Sequence, residues 1–160
     1  MDSSPFPTTL AIPSWALGRP STDRLATASF AVMSLLLAQP AVSQTIDGGA
    51  TVTVPGSQSS PWNIPGSLSV GNTSTGTLQI GAGGTVTSGS GFIGRQLTGI
   101  GTVTVSGAGA QWTSGPGLSV GNFGNGTLNI ANGGHVSSTT NSYIAVGVGS
   151  IGAATVSGPG

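Results

Sequence analysis

Leu68-Ser69-Val70-Gly71-Asn72 returns fifty residues later as Leu118-Ser119-Val120-Gly121-Asn122. Gly76-Thr77-Leu78-Gln79-Ile80 returns as Gly101-Thr102-Val103-Thr104-Val105, and again as Gly126-Thr127-Leu128-Asn129-Ile130, in two steps of 25 residues. Upstream, Ala50-Thr51-Val52-Thr53-Val54 fits the same frame, and Gly152-Ala153-Ala154-Thr155-Val156 starts another copy one residue late. A fixed period of this length marks a stacked architecture in which each unit contacts only its neighbours. The longer period arises because alternate units are the more alike: Trp62 recurs as Trp112, and Gly83-Gly84 as Gly133-Gly134.

Inside a unit the pattern alternates residue by residue. In Thr102-Val103-Thr104-Val105 the valines take one face and the threonines the other, as side chains on a strand do. Leu68 with Val70 and the neighbourhood of Val86 make two further short runs, and Phe92-Ile93 and Tyr143-Ile144 take the place of Leu68–Val70 in alternate units. Gly, Ser, Asn and Pro separate the runs and supply the turns. Each unit therefore reads as three short strands. No unit can bury its aliphatic side chains alone, but winding the units into a coil sets each strand beside its copy, about 4.8 Å away. Leu78 then stands over Val103 and Leu128, and Ile80 over Val105 and Ile130. The expectation is an all-β parallel β-helix of about four coils of ~25 residues, held by aliphatic ladders worth roughly 1.5–3 kcal/mol per buried side chain.

Charged residues make up 4% of the chain and the net charge is zero, against about 25% charged in an ordinary domain. Lysine, glutamate and cysteine are absent. That inventory excludes a basic face for nucleic acid, a disulfide framework and a thiolate metal site.

Residues 1–43 read as an N-terminal extension and signal peptide. Arg19 and Arg24 precede an apolar stretch, Leu25–Ala38, which Gln39-Pro40 ends. It has the length of a signal-peptide core and is too short for a comfortable membrane span. Ala41-Val42-Ser43 places small residues for cleavage between Ser43 and Gln44. Residues 44–160 then form the repeat domain.

Beyond that bond the chain holds one Asp (Asp47), one Arg (Arg95) and one His (His135). Glycoside hydrolysis needs two carboxylates, and a serine hydrolase needs a base held by an acid. Zinc needs three or four ligands, and a calcium-binding nonapeptide solenoid needs an Asp in each Gly-rich turn. The expectation is therefore no catalysis, no metal and no cofactor. His135 reads as an exposed turn residue in the place of Thr85, and Arg95 as a solvated cation. Asn72 and Asn122 read as turn residues that tolerate a left-handed backbone. Trp62 and Trp112 have two readings. One is interior or corner packing; the other is an aromatic platform for sugar rings, which makes them the candidate carbohydrate-binding residues.

Leu68–Asn72, Gly76–Ile80, Gly83-Gly84-Thr85-Val86, Phe92-Ile93-Gly94 and Gly101–Gly107, in that order, resemble the repeat shared by autotransporter (type V secretion) passengers and some PEP-CTERM surface proteins. The second copy runs from Leu118 to Gly158, with His135 and Ala145 as departures. The resemblance implies a right-handed parallel β-helix, exported from a Gram-negative cell and displayed on its surface or released. It implies no catalytic residues. A full-length protein of that family carries a C-terminal outer-membrane β-barrel, so the chain is expected to be truncated within its repeats. Three roles follow as expectations: a structural or adhesive passenger that meets surface glycans or neighbouring cells, a carbohydrate-binding matrix protein, and a non-catalytic part of a larger surface enzyme.

Overall fold

The computed structural model describes residues 41–158. They form a parallel β-solenoid. The first coil holds β1 (Gln44–Ile46), β2 (Ala50–Val54) and β3 (Trp62–Ile64). The second holds β4 (Leu68–Val70), β5 (Thr75–Ile80) and β6 (Thr85–Ser88), and the third β7 (Gly91–Ile93), β8 (Ile100–Ser106) and β9 (Gln111–Ser114). The fourth holds β10 (Leu118–Val120), β11 (Asn125–Ala131) and β12 (His135–Ser138), and the fifth β13 (Ser142–Ile144) and β14 (Ile151–Ser157).

Each strand pairs in parallel with its counterparts above and below, which gives three sheets. Sheet A is β1-β4-β7-β10-β13, sheet B is β2-β5-β8-β11-β14, and sheet C is β3-β6-β9-β12. The stack has about five turns where the repeat pattern predicts about four. The additional coil is the copy that starts one residue late at Gly152, whose strand β14 pairs with β11 along its whole length. The strand that the repeat pattern does not show is Gln44-Thr45-Ile46, which pairs with Leu68-Ser69-Val70; it carries one inward aliphatic residue, too few to announce a strand by alternation.

Sheet B carries the expected ladders. Val52, Leu78, Val103, Leu128 and Ala154 stand in one column, and Val54, Ile80, Val105, Ile130 and Val156 in the next. Leu78, Val103, Val105 and Val54 are fully buried. In the fifth coil Ala154 takes the place of a larger aliphatic, and it lines, with Leu128, Ile130, Val136 and Ile144, an open hollow of about 200 Å³.

The interior also explains the fifty-residue period. On sheet C the inward column reads Trp62, Val86, Trp112, Val136. On sheet A the facing column reads Leu68, Gly91, Leu118. The third coil thus combines Trp112 with Gly91, whereas the second and fourth combine Val with Leu. A Cβ added at Gly91 would lie 2.7 Å from Trp112 Cζ2 and 2.9 Å from Leu118 Cδ1. The indole occupies the room that the missing side chain leaves, so successive layers keep a similar filled volume, as a close-packed interior requires. The tryptophans stand at the register of Val86 and Val136, two residues beyond the Gly pairs.

The corners between sheets A and B turn on Gly71, Gly94 and Gly121, each with φ near +70°. Asn72 and Asn122 do not adopt the left-handed conformation; the glycine before each of them does. The leader assigned to residues 1–43 lies outside the described residues except at its end. There the Val42 carbonyl accepts from Gly66 N–H at 3.1 Å, and Ser43 Oγ accepts from Ser67 N–H at 3.1 Å. The expected scissile bond, Ser43–Gln44, therefore lies at the edge of the first rung.

Candidate functional site

Trp112 lies in the core with none of its surface exposed, and its Nε1–H donates to Ser88 Oγ at 3.1 Å. An indole with no solvent-facing side offers no platform to a sugar ring. The structure gives Trp112 the interior role of the two readings. Trp62 is half-buried and packs against the same core. The two tryptophans share an inward register, so they do not form an aromatic strip on the exterior.

Arg95 is not a free solvated cation. Its guanidinium lies over the Phe92 ring, 4.7 Å from the centroid, and its Nη1–H donates to Ser69 Oγ at 3.2 Å. Sheet A explains the contact. Ser69, Phe92, Ser119 and Tyr143 form one column of opposite parity to the aliphatic core, its two serines buried between the larger rings, and Arg95 follows the strand that carries Phe92. Such a cation–ring contact is worth about 0.5–1 kcal/mol at an exposed site. Phe92 and Tyr143 are therefore outer-face residues, Tyr143 half exposed.

His135 opens β12 in the row of Thr85 and Gln111 and is exposed. It belongs to a strand rather than to the turn where the sequence pattern puts it. Among the described residues, no three His, Cys, Asp or Glu side chains come together.

Asp47 has a role that the sequence does not signal. Its carboxylate accepts five hydrogen bonds from one turn of the coil above. The donors are the backbone N–H groups of Asn72 (3.1 Å), Thr73 (3.0 Å) and Ser74 (2.9 Å) and the hydroxyls of Thr73 (2.8 Å) and Ser74 (2.9 Å). The Thr73 N–H is the largest influence holding the carboxyl well below its ordinary range. Partial burial opposes it, and the Thr73 hydroxyl and both Ser74 donors reinforce it. A group with a depressed folded pKa contributes stability above its unfolded value, about 3.8. That contribution is lost as pH falls through the folded value. Asp47→Asn is expected to lower stability at neutral pH by about 1 kcal/mol, the scale of charge-assisted bonds discounted for solvent. It is also expected to flatten the loss of stability below pH about 4. Urea midpoints at pH 7 and pH 3 check this: equal acid sensitivity in both chains would contradict the clamp.

The most extended feature of the exterior is the outer face of sheet B. Thr51, Thr77, Thr102 and Thr127 occupy one row, with Ala153 after them. Two residues along lie Thr53, Gln79, Thr104, Asn129 and Thr155. The rows alternate with the buried ladders because the strand period is two. No charged or aromatic side chain stands in either row. Sheet C carries a less regular counterpart, Asn63, Thr87, Thr113 and Ser137. This surface, rather than any pocket, is the candidate site. The repeat pattern locates it, since every threonine in it has the opposite parity to an aliphatic ladder residue.

No family model, no curated protein and no solved structure matches the chain.

Proposed function

We propose that the chain is a structural or adhesive segment of an exported surface protein, comparable in role to an autotransporter passenger, with no catalysis of its own. The observation that carries this reading is the division of the coil. The inside is filled by continuous aliphatic ladders, and the outside of sheet B is an uncharged polar face whose threonine row runs unbroken over four coils, from Thr51 to Thr127. A stack of repeated rungs gives a rod that presents similar groups at successive steps. Export of the repeat domain to a cell surface or the medium is part of the proposal. It agrees with the residues assigned to the leader and with a core that needs no cysteine.

Beads coated with the full chain should be retained under flow on bacterial or glycan-coated glass better than beads coated with heat-denatured chain. Equal retention would remove the adhesive role. The carbohydrate-platform reading is not favoured, because Trp112 has no outer face.

A further inference from the structure

We propose that the outer face of sheet B binds the surface of crystalline ice. The proposal rests on the scaffold reading above, since it needs a folded rod, but it names the partner of that rod's regular face. Thr51, Thr77, Thr102 and Thr127 repeat in strict register on four adjacent parallel strands. Strand spacing fixes the hydroxyl repeat along the rod at about 4.8 Å, and the two-residue pleat sets the next row about 6.6 Å across. The result is a two-dimensional polar grid in which one row is all threonine over four strands and the next alternates threonine with Gln79 and Asn129.

Three properties of the grid favour a solid lattice of water. Threonine is stiff at χ1 because it is branched at Cβ, so each hydroxyl and methyl is presented in a repeated way without a large ordering cost. None of the four row hydroxyls bonds another described side chain, whereas Thr53, at the margin, is tied to Ser57 at 3.4 Å. They are free to hold water in positions set by the protein. Finally, the face is uncharged. An ammonium or carboxylate would organise its own hydration shell and break the repeat. A chain with 4% charged residues and none on this face avoids that conflict.

A crystalline glycan also offers a hydroxyl lattice. Sugar faces, however, are gripped by aromatic side chains that present a flat apolar body with a polar edge. Here no aromatic stands within the rows: Phe92 and Tyr143 lie on sheet A, Trp112 is inside, and the exposed Phe123 sits in the corner before β11. The face offers threonine methyls between the hydroxyls, which suits water ordered around small apolar groups.

The test is slow freezing of a dilute solution of the full chain around a cold probe, with the protein measured in ice and liquid, and circular dichroism on each sample. The folded chain is expected in the ice. Thr102→Tyr, which raises a ring in the middle of the grid at a site where tyrosine suits a strand, is expected to reduce incorporation by about tenfold, the equivalent of losing one or two hydrogen-bonded contacts. Thr77→Tyr serves as a second variant should the first lose its β signal. Thr113→Tyr, on sheet C, is expected to leave incorporation unchanged. Three outcomes would overturn the proposal: exclusion of the folded chain from ice, incorporation indifferent to both sheet B variants, or retention on crystalline cellulose or chitin in place of ice. A chain without β signal would overturn the scaffold reading together with this one, whereas a folded chain excluded from ice overturns this one alone.

Discussion

Trp112→Ala is expected to destabilise the solenoid by about 3–5 kcal/mol, the range for removing a large buried aromatic side chain. The indole is fully buried, and what it leaves behind cannot collapse easily. Gly91 faces the vacated space with no side chain to move into it, and Ser88, itself buried, loses the N–H that it accepts at 3.1 Å. Against a total stability of about 5–15 kcal/mol for a native domain, that loss is large enough to populate unfolded chain at room temperature. Trp112→Phe keeps much of the volume and forfeits the hydrogen bond, so its cost should be nearer 1 kcal/mol. The pairing of a large residue with a small one also predicts coupling. Gly91→Ala should destabilise the native sequence, where its methyl meets Cζ2, and should cost less alongside Trp112→Val, where only the flexible end of Leu118 and the Ser114 hydroxyl remain close. Urea denaturation of the four chains in that cycle measures the coupling directly. If Trp112→Ala proved as mild as Thr102→Ala, the indole would not be where the interior needs it.

The same residues show how far the sequence could be read. Alternation and period together placed three strands per unit, the partners of Leu78 and Ile80, and the outward threonines, because each of these depends only on parity and repeat. What escaped depends on contacts between positions of different kinds. Asp47 is a single carboxylate with no counterpart in any other coil, and its donors lie 25–27 residues away in a turn; nothing periodic announces it. Arg95 and Phe92 meet across the end of a strand, where the period of two no longer applies. Gln44-Thr45-Ile46 is too short and too polar to stand out as a strand by itself. The interior role of Trp112, by contrast, was within reach. It has the parity of Ala110 and Ser114, both buried, and the glycine that accommodates it stands where alternate units carry a leucine.

Gly101→Ala should cost about 3 kcal/mol or more, at the upper end for overpacking, although the same exchange at an unstrained site stabilises by about 0.4–1 kcal/mol through the unfolded chain. The reason lies in one column of sheet B: Ala50, Gly76, Gly101, Gly126 and Gly152. A Cβ on Gly76, Gly101, Gly126 or Gly152 would run into the carbonyl oxygen of Ile46, Val70, Ile93 or Val120 respectively. Those oxygens cannot retreat. Each already accepts a hydrogen bond from the corner residue of the next coil; Val70 O, for example, accepts from Gly94 N–H at 2.9 Å. The obstacle is therefore backbone on backbone, and relief at one rung would shear its neighbours. Ala50 stands in the first coil, where no earlier sheet A strand among the described residues supplies such an oxygen, and there the column carries a methyl. The preferred residue should consequently reverse between the two sites: Gly101→Ala destabilises strongly, whereas at position 50 alanine is the better residue and Ala50→Gly destabilises by about 1 kcal/mol or less. Thermal or urea midpoints for the pair decide the matter. A Gly101→Ala chain as stable as the parent would mean that the coils sit further apart than strand pairing requires, and the ladder geometry would have to be abandoned with it.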